Sequence, residues 1–221
     1  SASATVTTIA VGANTNTLLV DGDGNIPDVQ AYYTTALTDA GISFNVWDLS
    51  NDSNIPLSYM QAFHNIVWFT GNTYPGPILP YETKLAAFLD GGGHLFMSGQ
   101  DILDQAAGTT AFVQGYLHIS WDGSEDQNDI LTNNINAVAG TLTDGLGSVP
   151  LDHNVLNAAY EDQITPIAPA VTIFTDDTAQ PDGLSYTDGY KVVFLAFPFE
   201  GYGTAPDKAA LMTDVFTFFG P

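Results

Sequence analysis

The chain has 221 residues, 45% hydrophobic and 12% aromatic, enough to bury one sizeable core and typical of a single domain. Three lysines (Lys84, Lys191, Lys208), no arginine and 25 acidic residues give a formal net charge of −22, which excludes nucleic-acid binding because phosphate neutralisation needs clusters of Lys or Arg. The same shortage argues against anionic membrane surfaces and acidic substrates, and the lack of cysteine rules out disulfides and thiolate zinc sites.

Residues 1–14 (SASATVTTIAVGAN) read as a polar linker or edge strand ahead of one domain over 15–221. No apolar run approaches the roughly 20 residues that span a bilayer, so no membrane insertion is expected. Low Lys with abundant Asn, Thr, Asp and Gly points to an extracellular, secreted location, the signal peptide having been removed. Thr17 to Val20 (TLLV), ending in Asp21-Gly22-Asp23-Gly24, has the length and flanks of a buried strand. A helix follows, with Pro27 in its first turn and Gly41 beyond its end, and Val29, Tyr32, Tyr33, Ala36, Leu37 and Ala40 between them forming an apolar stripe at helical spacing. Ile42 to Leu49 alternates as a second strand, Ile55 to Phe63 forms a short crossover helix, and Asn65 to Thr70 is a continuous apolar run covered on both faces. A helix from Tyr81 to Asp90 and a strand from His94 to Ser98 continue the alternation.

From 99 to 169 the pattern loosens into an elaborated excursion on the same domain, with helical hints at 102–107 and 111–117 and a polar run from Trp121 to Asn134. Order returns with Val171 to Phe174, a hairpin through Gly183-Leu184-Ser185-Tyr186, the strand Lys191 to Phe197, and a last helix from Pro206 to Phe219. Strands and helices alternating in this way predict an α/β fold: a three-layer α/β/α sandwich with a mainly parallel sheet.

Ligands of such sheets bind outside the carboxyl ends of the strands. Asp21, Asp23, Asp101 and Glu200 fall there and offer oxygen ligands suited to Ca²⁺ or Mg²⁺; capping and turn chemistry is the competing reading for Asp21 and Asp23. Asn72, Ser98, Gln100, Asp101 and Glu200 form a candidate polar ligand site at the same edge. Asp122, Glu125, Asp126 and Asp129 make a second candidate calcium loop or a solvated surface run. Ser98 stands where a nucleophile would, and His153 is the histidine placed to reach it, since His64 and His94 fall at strand starts. The elbow consensus G-x-S-x-G is not met: the chain reads Phe96-Met97-Ser98-Gly99-Gln100. Tyr74, Tyr81, Trp121, Tyr186 and Tyr202 lie in or near loops and could stack on sugar rings or a polypeptide.

LLVDGDG (18–24), AYYTTALTDAG (31–41), FNVWDLS (44–50), IVWFTGNTY (66–74), LAAFLDGGGHLFMSGQD (85–101) and KVVFLAFPFEGYG (191–203) resemble a class I glutamine amidotransferase-like domain, of the kind attached to large secreted bacterial proteins such as subtilisin-like peptidases. The resemblance implies a flavodoxin-like fold. Its catalytic Cys is replaced by Ser98, or by Gly99 if the register slips by one, and its His-Pro-Glu corresponds to Pro198-Phe199-Glu200. With thiolate and base both missing, glutamine hydrolysis by that mechanism is excluded. The expected function is a non-catalytic accessory or binding domain of an extracellular multidomain protein, whose partners are its flanking domains and a protein or glycan. A serine hydrolase using Ser98 and His153 is the alternative, and a carbohydrate-binding module a third.

Overall fold

The structure, a computed structural model, describes residues 15–104, 109–121, 132–155 and 161–221. In chain order its elements are β1 (Thr17–Asp21), α1 (Gln30–Asp39), β2 (Phe44–Asp48), α2 (Leu57–Met60), β3 (Asn65–Phe69), α3 (Glu82–Asp90), β4 (His94–Ser98), α4 (Ala111–Gly115) and β5 (Ile119–Ser120). These are followed by β6 (Asn134–Ala137), β7 (Ser148–Pro150), β8 (Thr165–Pro166), β9 (Val171–Thr175), β10 (Pro181–Asp188), β11 (Tyr190–Leu195) and α5 (Ala205–Phe219).

One nine-stranded sheet runs β2-β1-β3-β4-β11-β10-β9-β6-β7, and β5 pairs with β8 apart from it. Every residue of β1, β3 and β4 is buried. Their side chains alternate between two cores, as the two-residue period of a strand requires. Leu18, Val20, Ile66, Trp68, Leu95 and Met97 pack with Met60 of α2, Phe88 of α3 and Phe112 of α4. Leu19, Val67, Phe69 and Phe96 pack with Tyr33 and Leu37 of α1 and with Leu211, Met212 and Val215 of α5. The start of α5 is fixed by a capping box: Asp207 accepts from the Thr204 main-chain N–H at 2.8 Å, while Thr204 caps the third helical amide in return.

The predicted mainly parallel, flavodoxin-like α/β/α sandwich is overturned. From β2 through β11 the pairings are parallel, but from β11 through β10, β9 and β6 to β7 all are antiparallel. The sheet is therefore mixed, and strands outweigh helices among the described residues. The antiparallel strands drawn from 134–150 carry no apolar run because each buries only one side chain, so the excursion hid two strands of the main sheet. The predicted hairpin turn at Gly183–Tyr186 instead lies inside β10, and the chain reverses at Gly189. The 102–107 helical hint extends past the described residues at 105, and Ile102 and Leu103 stand in a bend. Residues 1–14 lie outside the described segments. No helix among the described residues is long and apolar enough to cross a membrane.

The chain's three lysines are each committed to main-chain oxygens. Lys84 donates to Ile55 O at 2.8 Å, Lys191 to Phe218 O and Phe219 O at 2.7 and 2.8 Å, and Lys208 to Gly203 O at 3.0 Å.

Candidate functional site

The carboxyl ends of β1, β3, β4 and β11 gather most of the predicted residues. Ser98 ends β4 and is fully buried; its hydroxyl donates to Phe197 O at 3.0 Å and accepts the Phe199 N–H at 2.9 Å. Both bonds clip β4 to the chain leaving β11, which makes Ser98 a fastening rather than an exposed nucleophile. Position 99 is closed as well: a Cβ on Gly99 would lie 1.9 Å from Thr70 Oγ1, so the alternative register of a nucleophile elbow has no room for a side chain. His64 and His94 face each other at the strand-start edge, ring centroids 4.5 Å apart. Burial pulls the His94 pKa down to about 4. His153 follows Asp152 on the loop after β7, and the Asp152 main-chain N–H donates to Gly201 O at 2.7 Å, which brings this loop beside the turn after β11.

Asp21 and Asp23 are both buried. Burial, then the neighbouring charges of Asp23 and Asp48, push the Asp21 pKa up to about 8. Asp23 accepts the Asn25 N–H at 2.6 Å and the Val29 N–H at 2.7 Å, and Asp28 accepts the Gln30 N–H at 3.0 Å. Asp21, Asp23 and Asp28 can bring one oxygen each within 4.8 Å of one another, a donor set of the right hardness for Ca²⁺ or Mg²⁺. The main-chain amides they hold account for the arrangement as turn chemistry, and the N-cap of α1, Val29, has no side-chain cap bond. Asp101, at a left-handed φ of 52°, and Glu200 stand outside this trio.

Gln100 is buried and its Nε2 reaches Asn72 Oδ1 at 3.4 Å, while Asn72 itself is exposed. Of the loop aromatics, Tyr81, Trp121, Tyr186 and Tyr202 are buried and Tyr74 is 58% exposed, so these five form no aromatic face for a glycan. Asp122, Glu125, Asp126 and Asp129 lie outside the described residues. Glu161, Asp162, Asp176 and Asp182 line a cavity of about 10 Å³, a grouping the sequence reading missed because these acids look like ordinary turn residues. Asp162 there accepts the Leu103 N–H, and Asp176 the N–H groups of Thr178 and Gln180.

Glu200 is the most informative of the predicted residues. It sits in a 3-10 turn (Phe199–Gly201) and is fully buried. Its Oε2 accepts the Tyr33 hydroxyl at 2.7 Å, and its Oε1 has no hydrogen-bond partner. Burial raises its pKa to about 7, against the Tyr33 hydrogen bond, with Asp23 pushing the same way as burial and Lys208 pulling it down. Beside it a cleft of about 380 Å³ opens between α1 and α5, lined by Ala31, Tyr32, Thr35 and Ala36, by Asp152 and Val155, and by Glu200, Gly203, Ala205 and Lys208. The Lys208 ammonium lies 5.4 Å from the Tyr32 ring centre and is pulled below its ordinary pKa by burial, with Glu200, Asp207 and Asp152 acting in the opposite sense.

Tyr33 and Lys208 were not foreseen. A tyrosine inside an apolar helix stripe needs a partner for its hydroxyl, and a lysine in a helix's first turn opposes the macrodipole; both signals stand in the sequence.

No family model and no curated protein matches the chain. A solved structure described as the mmIFT52 N-terminal domain matches it at a TM-score of 0.54 with 12% identity, over 92% of this chain and 96% of that one. This finding overturns the glutamine amidotransferase-like resemblance and, with it, the peptidase-associated attribution. The likeness is one of fold: this chain is similar in architecture to the mmIFT52 N-terminal domain.

Proposed function

We propose that the domain is a non-catalytic binding module whose site is the cleft between α1 and α5. The observation that carries this reading is the state of Ser98: a sealed hydroxyl with its hydrogen bonds spent on Phe197 and Phe199 cannot be presented to a substrate as a nucleophile. The cleft supplies the complementary support, since its volume of about 380 Å³ falls in the range of small-ligand sites. Its lining includes a buried glutamate, Glu200, and a buried lysine, Lys208.

Treatment with a serine-directed fluorophosphonate followed by peptide mass spectrometry tests the reading. The expected result is no adduct on Ser98 in the folded domain. An adduct on Ser98 that a Ser98→Ala variant abolishes, together with turnover of an activated ester, would replace the binding module with the hydrolase.

A further inference from the structure

The walls of the α1–α5 cleft specify the charge of what fits there. Glu200, one of the lining residues, keeps a buried oxygen, Oε1, with no partner, although its other oxygen is held by Tyr33. An unpaired buried acceptor costs about 1–3 kcal/mol, so a group that satisfies it gains affinity. Lys208 lines the same cleft, and its ammonium has three donors and spends one on Gly203 O. Asp152 adds a carboxylate at the exposed rim, where Oδ1 is occupied by the Asn154 main-chain and side-chain N–H groups. Ala31, Ala36, Ala205 and Gly203 keep the interior open.

An anion entering this cleft would meet Glu200 and Asp152, and a cation would meet Lys208. A neutral group that donates and accepts at once conflicts with neither. We infer that the cleft takes a neutral small molecule bearing a hydroxyl or carboxamide, which donates to Glu200 Oε1 and accepts from Lys208 Nζ. The inference rests on the cleft being the binding site proposed above and adds the ligand's class. The Tyr32 ring, 37% exposed at the rim, gives the apolar part of such a molecule a surface to lie on.

The test is a titration of the isotopically labelled chain, followed by amide chemical shifts, with four probes: glycerol and acetamide as neutral fragments, acetate and methylammonium as charged ones. Glycerol and acetamide are expected to shift the amides of Ala31, Thr35, Gly203 and Lys208 saturably, and the two ions to leave them in place. Glu200→Gln and Lys208→Met are each expected to weaken the neutral probes about tenfold, the loss of roughly one hydrogen bond to a charged group; the second substitution keeps the lysine's stem and serves even where the first fails to fold. Saturable binding of acetate or methylammonium in place of the neutral fragments overturns the ligand class and leaves the cleft as a site. Neutral binding that both substitutions leave unchanged also overturns it. Silence of the cleft amides with all four probes overturns both the ligand class and the placement of the site.

Discussion

Strands β1, β3 and β4 are buried from end to end, whereas β6 and β7 at the far edge of the same sheet each bury a single side chain, Ile135 and Val149. The first region is held by side chains pressed from both faces. The second is held largely by polar groups gripping main chain: Thr143 donates to Ile173 O at 2.6 Å, Asn136 to Asp176 O at 3.0 Å, and Asp177 accepts the Asn133 N–H at 2.8 Å. Continuous burial demands a continuous apolar run and leaves a signature in sequence. Polar fastening leaves one that resembles any loop.

If that contrast governs stability, Phe96→Ala in β4 should have the largest effect, about 3–5 kcal/mol, while Val149→Ala in β7 should cost about 1–2 kcal/mol. Urea unfolding measures both, and equal losses would erase the distinction between the two regions. Next comes the crowded junction at the end of β4. Gly99→Ala should destabilise by about 1–3 kcal/mol through overpacking against Thr70, and Thr70→Ala in the same chain should recover most of the loss. Failure of that rescue would move the strain elsewhere.

A pH series sharpens the comparison from the electrostatic side. Asp21, near 8, and Glu200, near 7, both lie above their ordinary values of 3.8 and 4.5. Each therefore contributes stability that is complete below its unfolded pKa and is lost as pH rises through the folded one. His94, lowered from 6.5 to about 4, acts in the opposite direction, but only as pH falls below 6.5. The melting temperature should thus decline between pH 6.5 and 8.5, and Asp21→Asn should flatten most of that decline; a slope unchanged in this variant would remove Asp21 as its source. The smallest effect belongs to the polar edge. Asp177→Ala should barely move global unfolding, yet hydrogen exchange at the amides of Asn133 and Asn134 should quicken, and unchanged exchange there would show that other contacts hold the start of β6.

The same division explains what could be read before the structure was known. IVWF before Thr70 and HLFM before Ser98 are apolar on both faces, so β3 and β4 emerged at nearly their observed limits. NINA and SVP offer no such run; without them the sheet looked mainly parallel, and the motif resemblance drew the fold toward the wrong family. At the site, Glu200 was legible from its place just after an apolar strand. Its partner Tyr33 lies 167 residues away in sequence, and no local pattern announces a hydrogen bond across that distance. Ser98 was placed correctly at its strand end, but its two main-chain bonds depend on how the segment after β11 folds back over β4.

The commitment of all three lysines to carbonyl oxygens has a consequence for handling the protein. A protease that cuts after basic residues has only Lys84, Lys191 and Lys208 to recognise in this arginine-free chain. Each is tethered to main chain inside or beside regular structure, so cleavage must wait for local or global opening. Trypsin digestion should therefore serve as a clock for unfolding, reporting the open population almost free of background from nicked native molecules.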